Sequence, residues 1–283
     1  MAQSATLLIT CPDRTGIVAA VSEFLYRRGA NILHADQHQD AALGLFLMRV
    51  EWDVATFALD THFGVDFTPI ADRFQMRWKV SQSATPVRMA IFVSRYTHCL
   101  ADLLYRAHSG ELNCAVALVI GNATDGEQLA RFYDVPFQHI AVSAGTKAAA
   151  ERQQLALLQQ HRVDLIILAR YMQVLSPTFV AQYPQQIINV HHSFLPAFSG
   201  ARPYQRAYER GVKLIGATSH YVSDELDEGP IIEQDVARIT HRSGVDDLVR
   251  QGRDLEKLVL ARAVRWHIEQ RIVVYGNKTV VFD

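Results

Sequence analysis

The chain is 283 residues long, with 28 Lys and Arg against 29 Asp and Glu for a formal net charge of -1, and 49% of it is hydrophobic. At roughly 100 to 200 residues per domain this length accommodates two domains, each with its own core, and the balanced charge lacks the electrostatic footprint of a general nucleic-acid binder. There is no apolar run of roughly 18 residues and no basic-then-apolar leader, so neither a membrane span nor an export signal is readable.

The cysteines Cys11, Cys99 and Cys114 are odd in number and at no metal-ligand spacing. That argues against a disulfide framework or a zinc knuckle and for a reduced, cytoplasmic compartment, with no metal expected.

Residues 5–11 read as a strand, and Pro12 to Thr15 supply turn and capping chemistry. Ile17, Ala20, Val21, Phe24 and Leu25 then recur at helical spacing, and Arg28-Gly29 supplies a basic last turn and a C-cap glycine. Residues 30–38 and 45–52 read as strands. In the second, Phe46, Met48, Val50 and Trp52 alternate with Leu47, Arg49 and Glu51, which predicts a sheet covered on one face only. A helix between Thr56 and Phe74 and a strand over 76–80 complete a βαββαβ order in about 80 residues, a ferredoxin-like plan. The small, polar, proline-terminated stretch Ser81 to Pro86 is linker-like and divides a domain 1–83 from a domain 84–283.

Beyond the linker, continuous apolar runs at 89–93, 115–120, 165–168 and 187–190 alternate with helical segments. Such runs indicate strands buried on both faces, and the alternation indicates an open, mostly parallel α/β sheet. Strand-like segments at 212–222 and 231–236, a long amphipathic helix over 245–268 and a terminal hairpin over 272–281 follow.

In open α/β sheets ligands bind outside the carboxyl ends of the strands. Asn189-Val190-His191-His192-Ser193 sits at such an end, and Asn189 and His191, two apart on an extended segment, leave the same face. The loop Glu225 to Pro230 supplies carboxylates within reach. An amide, an imidazole and a carboxylate suit acyl or formyl chemistry, although on local pattern alone such residues are more often structural than catalytic. His191 and His192 point to opposite faces and cannot chelate one metal, and Ser193 lacks a nucleophile elbow. Ser94 to Leu100, the first α/β turn, holds no glycine, so a phosphate cradle is absent there.

Four segments together resemble the family of N10-formyltetrahydrofolate-using hydrolases and formyltransferases, above all its deformylase branch. They are Asn189-Val-His-His-Ser-Phe-Leu-Pro196, Gly216-Ala-Thr-Ser-His-Tyr-Val222, Leu226-Asp-Glu-Gly-Pro-Ile-Ile232 and Leu168-Ala-Arg-Tyr-Met-Gln-Val-Leu-Ser176. Pro12-Asp-Arg-Thr-Gly-Ile-Val18 and Arg28-Gly-Ala-Asn-Ile32 resemble an ACT domain. The resemblance covers nearly the whole chain.

It implies hydrolysis of 10-formyltetrahydrofolate to tetrahydrofolate and formate, supplying purine synthesis and balancing one-carbon pools, with folate as substrate and no cofactor. By matching motif positions, Asn189 would bond the formyl oxygen, His191 stabilise the tetrahedral intermediate and Asp227 position the water. Met172, Val174 and Leu175 would wall the pterin site, with Val222, Asp224 and Leu226 opposite and His192 and His220 alongside. Asp13, Arg14, Thr15, Gly16 and Asn31 would form an amino-acid effector site, for glycine or methionine, on a homo-oligomer built through its ACT domains.

The departures point to water as nucleophile. The glycine-rich loop that holds the acceptor's phosphate in the glycinamide ribonucleotide transferases is replaced here by Ser94-Arg-Tyr-Thr-His-Cys-Leu100, and His192 stands where those enzymes have proline. The basic extra domain of the tRNA-using relatives has no counterpart before Val281-Phe-Asp283, so a nucleic-acid acceptor is not expected. Two other readings stay open: a formyltransferase with a different acceptor, and a catalytically silent folate-binding sensor.

Overall fold

The computed structural model describes residues 3–196 and 203–282. The chain divides into two compact units, Met1–Pro86 with Glu269–Asp283, and Val87–Ile268.

The first unit runs β1 (Ser4–Pro12), α1 (Ile17–Arg27), β2 (Ile32–Asp40), β3 (Leu45–Asp53), α2 (Phe63–Phe74), β4 (Arg77–Gln82). Its sheet has the order β2-β3-β1-β4 with every pairing antiparallel, the expected ferredoxin-like arrangement. α1 buries Ile17, Val21, Phe24 and Leu25. It ends where the Arg28 amide donates to the Leu25 carbonyl and Gly29, at φ 74°, adopts the left-handed turn that glycine tolerates. α2 starts later than its apolar pattern suggests, because the Asp60 carboxylate accepts from the His62 and Phe63 amides at 2.9 and 3.0 Å and fixes the first turn there. Phe63 stacks on Trp52 with ring centroids 5.7 Å apart at the centre of this core.

The second unit runs β5 (Val87–Val93), α3 (His98–His108), β6 (Cys114–Gly121), α4 (Glu127–Phe132), β7 (Phe137–His139), α5 (Lys147–Gln160), β8 (Leu165–Ala169), α6 (Pro177–Val180), β9 (Ile187–His191), α7 (Pro203–Arg210), β10 (Leu214–Tyr221), β11 (Ile231–Arg238), α8 (Val245–Ile268). The sheet order is β11-β10-β9-β8-β5-β6-β7. Strands from β9 through β7 pair in parallel, while β10 and β11 pair antiparallel at one edge. Ile166, Leu168 and Ile187 join a core with Leu158 of α5 and Phe179 of α6, whereas Ile215 and Ala217 join Leu248, Leu255 and Val259 of α8. Covering both faces accounts for the unbroken apolar runs.

The C-terminal hairpin, β12 (Ile272–Tyr275) and β13 (Lys278–Val281), belongs to the first unit rather than to the second, so the division differs from a single cut at 83/84. The same hairpin corrects the expectation of a one-faced sheet. Leu47, on the face that alternation assigns to solvent, packs with Val273, Tyr275 and Phe282. Arg49 beside it is buried, its Nε donating to the Gln270 carbonyl at 3.1 Å and its Nη2 to Glu51 Oε2 at 2.7 Å.

Leu47→Ala is expected to destabilise the first unit by about 2–5 kcal/mol through the cavity left under the hairpin. The exposed Leu43→Ala should stay within about 0.5 kcal/mol. Urea unfolding at neutral pH checks the pair; equal midpoints would mean that the hairpin adds no core.

Candidate active site

β9 ends in Asn189-Val190-His191, and the side chains of Asn189 and His191 leave one face. The antiparallel register pairs His220 of β10 with Asn189 and Thr218 with His191. This sets His220 beside Asn189 on that same face. The loop after β10 folds back over it: the Val222 amide donates to the Ile187 carbonyl, and the Tyr221 amide to the Pro230 carbonyl, each at 2.9 Å. Gly229 makes that closure possible, since a Cβ there would lie 1.8 Å from the Tyr221 carbonyl oxygen. Within the loop Asp227 sits at φ 60°, a left-handed conformation uncommon outside glycine, and such strain concentrates at functional sites.

The result is a connected set of polar groups. His191 Nδ1 lies 3.1 Å from Asp227 Oδ2 and His220 Nε2 lies 3.7 Å from Asp227 Oδ1. His220 Nδ1 donates to the Tyr221 carbonyl at 2.9 Å; because a carbonyl only accepts, this fixes the tautomer and leaves Nε2 to accept from Asn189 Nδ2 at 3.2 Å. Burial alone would raise the Asp227 carboxyl, but the hydrogen bond from His191 Nδ1, with His220 alongside, outweighs it and holds the group well below the ordinary carboxylate range. His191 Nε2 is buried and makes no hydrogen bond among the described residues. A buried nitrogen without a partner is costly, and here it is the one pointed away from the orienting carboxylate.

The other expected residues divide. Met172 and Val174, each 54% exposed, and Leu226, 65% exposed, present apolar side chains on the loops after β8 and β10. The Met172 amide donates to Ser94 Oγ at 2.9 Å. Asp224 is exposed, whereas Leu175 is buried in the core cluster that includes Phe179 and Val222 is partly buried against it. The His192 ring stands 5.1 Å from that of His191, and burial, then the Arg170 charge and then His191, push its pKa down to about 3, so it is neutral at pH 7.

Sequence reasoning missed a second cluster. Glu256 on α8 is buried; its Oε2 accepts from His98 Nε2 at 2.8 Å and its Oε1 from Tyr204 Oη at 2.6 Å. Arg170 Nε is 3.4 Å from the same Oε2, near enough for charge attraction but misaligned for a hydrogen bond. The signal was present: Glu256 falls among Leu248, Leu255 and Val259 on the apolar face of a helix, where a lone carboxylate needs partners. His98, Cys99 and Glu256 offer ligand atoms within 4.8 Å of one another. The Arg170 guanidinium opposes a cation there, and burial followed by the Glu256 charge holds the Cys99 thiol well above its ordinary range.

In the first unit Asp13, Arg14, Thr15 and Gly16 are exposed at the start of α1, with Asp13 accepting from Gln39 and Arg14 donating to Gln75. Asn31 does not join them. Its carbonyl accepts from the Asp53 amide, at the end of β3 opposite the Leu45 end that adjoins Asp13. At about 3.3 Å per residue the two places are some 25 Å apart.

The formyl transferase family pattern matches residues 87–264 and the ACT domain pattern residues 5–55. A formyltetrahydrofolate deformylase of Synechocystis is 51% identical over 280 residues, covering 99% of this chain and 98% of that one. The chain belongs to the formyltetrahydrofolate deformylase family. A second deformylase of the family, from Bacillus subtilis, is 48% identical over 98% of this chain and 93% of its own. Among solved structures, a formyltetrahydrofolate deformylase from Pseudomonas syringae pv. tomato superposes with a TM-score of 0.97 at 49% identity, covering 100% of this chain and 95% of that one. Glycinamide ribonucleotide transformylase 1 from Symbiobacterium toebii superposes with a TM-score of 0.66 at 30% identity, covering 70% of this chain and 95% of that one.

For this deformylase-family site the depressed Asp227 carboxyl sets a sign. Its folded pKa lies below the unfolded value, so its stabilising contribution is complete above an unfolded pKa of about 3.9 and is lost as pH falls through the folded value. Urea midpoints measured from about pH 5 to pH 3 should therefore fall more steeply for the parent than for Asp227→Asn. Parallel declines would show that His191 does not hold the carboxylate.

Proposed function

We propose that the chain hydrolyses 10-formyltetrahydrofolate to tetrahydrofolate and formate, and that Asn189, His191 and Asp227 carry the reaction. The reading rests above all on the buried, unpartnered Nε2 of His191, whose Nδ1 is held by Asp227 and which shares a strand face with Asn189. The curated relatives' names supply the substrate.

In this reading water adds to the formyl carbon, and the developing oxyanion receives hydrogen bonds from the second Nδ2 hydrogen of Asn189 and from protonated His191 Nε2. The Asp227 carboxylate orients the water and takes up its proton. So acidic a group holds a proton only transiently, and His191 passes it to N10 as the carbon–nitrogen bond breaks. His220 acts on Asn189: accepting one amide hydrogen at Nε2 fixes the direction of the other. Met172, Val174 and Leu226 supply apolar contacts for the pterin, with backbone groups of Leu175, Val222 and Asp224 beside them, and neutral His192 borders the water. The formate released would supply purine synthesis. No helix among the described residues is long and apolar enough to cross a membrane, and the reading places the enzyme in the cytoplasm.

Asn189→Ala should lower turnover on the order of 100-fold to 1000-fold by removing one oxyanion donor. Asp227→Asn should impair formate release comparably while folate binding persists. A folded, folate-binding Asp227→Asn protein that releases formate at the parental rate would end the assignment. A candidate acceptor that raises tetrahydrofolate output would favour the transferase reading, and binding without formate the sensor reading.

The ACT domain supports a second element of the proposal: an amino-acid effector, glycine or methionine, received at the exposed Asp13-Arg14-Thr15-Gly16 turn, where the free amides of α1 face a carboxylate, on a homo-oligomer. Titration calorimetry with an amino-acid panel should give heat with one of these two, diminished in Asp13→Ala. Silence across the panel would leave the domain a dimerising module.

A further inference from the structure

Strand order reverses in the second unit between β5 and β8: from β5 the chain proceeds to β6 and β7 on one side, then to β8 and β9 on the other. The carboxyl end of an open α/β sheet at such a point is where ligand crevices form. The two segments that border it are those after β5 and β8, which carry His98 and Arg170. Both side chains turn to Glu256, and Tyr204 of α7 completes the group.

The crevice is therefore filled from within. Glu256 and Arg170 are 1% and 8% exposed, and both carboxylate oxygens are engaged. The Tyr204 hydroxyl is seated in a notch on α8, where a Cβ on Gly252 would lie 2.1 Å from it. A buried ion cluster is an expensive way to fill space compared with apolar side chains, so its position calls for a reason. The cluster also abuts the catalytic face: the Tyr204 ring stands 6.2 Å from His192, whose ring is 5.1 Å from that of His191.

We propose that His98, Arg170, Tyr204 and Glu256 determine the specificity of the site for water, occupying the crevice in which an amine-bearing second substrate would lie. This rests on the hydrolytic reading above. In hydrolysis the water oxygen bonds to the formyl carbon, the carbon–N10 bond breaks, N10 takes one water proton and the other is released with formate. Were the crevice open, an amine nitrogen would form the bond instead, its proton would pass to N10, and the products would be an N-formyl compound and tetrahydrofolate. His192 then forms the partition between the filled crevice and the reacting carbon.

The test uses O-benzylhydroxylamine, an amine nucleophile with a ring the size of a tyrosine side chain, added to the full-length protein with 10-formyltetrahydrofolate. Tetrahydrofolate, formate and N-formyl product are measured together, with enzyme-free reaction subtracted. In the parent protein and in Tyr208→Ala, a half-exposed position on the same helix, formate should account for all tetrahydrofolate formed. In Tyr204→Ala and in His98→Ala/Tyr204→Ala the N-formyl fraction should rise on the order of 10-fold or more above the detection floor. If those variants fail to fold, Tyr204→Leu, which keeps bulk on Gly252 but vacates the hydroxyl end, should show the same rise with the smaller nucleophile hydroxylamine. N-formyl product from the parent protein, or formate alone from folded variants that still turn over, would overturn the proposal while leaving hydrolysis intact. Absence of tetrahydrofolate in the parent reaction would instead overturn the hydrolytic reading.

Discussion

The hydrogen bond from His191 Nδ1 to the Asp227 carboxylate is the contact on which the rest of the site depends. It spans a strand end and a loop separated by the whole of α7 and β10, and it sets which imidazole nitrogen is left without a partner among the described residues. With Nδ1 committed to the carboxylate, Nε2 is left buried and without a partner among the described residues, a state that folding alone would not favour and that, in the proposed reaction, the formyl group would relieve. The left-handed backbone of Asp227, and the close approach to the Tyr221 carbonyl that only a glycine at 229 permits, bring the carboxylate there.

Around that pair the antiparallel edge of the sheet matters as much as its parallel centre. Because β10 runs antiparallel to β9, His220 falls opposite Asn189 and its fixed tautomer can hold the amide. A parallel neighbour would have set its carboxyl end beside that of β9, as β8 does, and no residue of the strand following it would have returned across Asn189 in this way. The mixed sheet thus supplies two kinds of polar position: the segments that follow the parallel strands, which carry Arg170 and His98, and a strand face at the antiparallel step, which carries Asn189, His191 and His220.

Two buried charge systems lie one ring apart, separated by His192. One leaves a nitrogen unsatisfied and ready for a ligand; in the other both Glu256 oxygens are satisfied by the protein's own donors. That difference is the physical basis of the proposal that the site activates a small nucleophile and offers no place for a second substrate.

Much of this was legible in the residues. Strand alternation, helical spacing at Ile17 to Leu25 and unbroken apolar runs such as Leu165 to Leu168 follow from which faces are buried, and burial patterns are local. Asn189 and His191 were readable as a pair because an extended chain fixes which side chains share a face. Other features depended on segments distant in sequence. The hairpin at 272–281 was visible as a hairpin, but only tertiary structure showed that it covers Leu47 and Arg49, since alternation cannot report what lies on the polar-looking face. The grouping of His98, Arg170, Tyr204 and Glu256, and the separation of Asn31 from Asp13, were likewise decided by packing and register. Sequence alone determined the local elements and singled out Asn189, His191 and Asp227 as candidates, because these rest on backbone periodicity and side-chain chemistry. Tertiary structure decided which groups meet, because strand order and long-range packing, rather than neighbouring residues, set those distances.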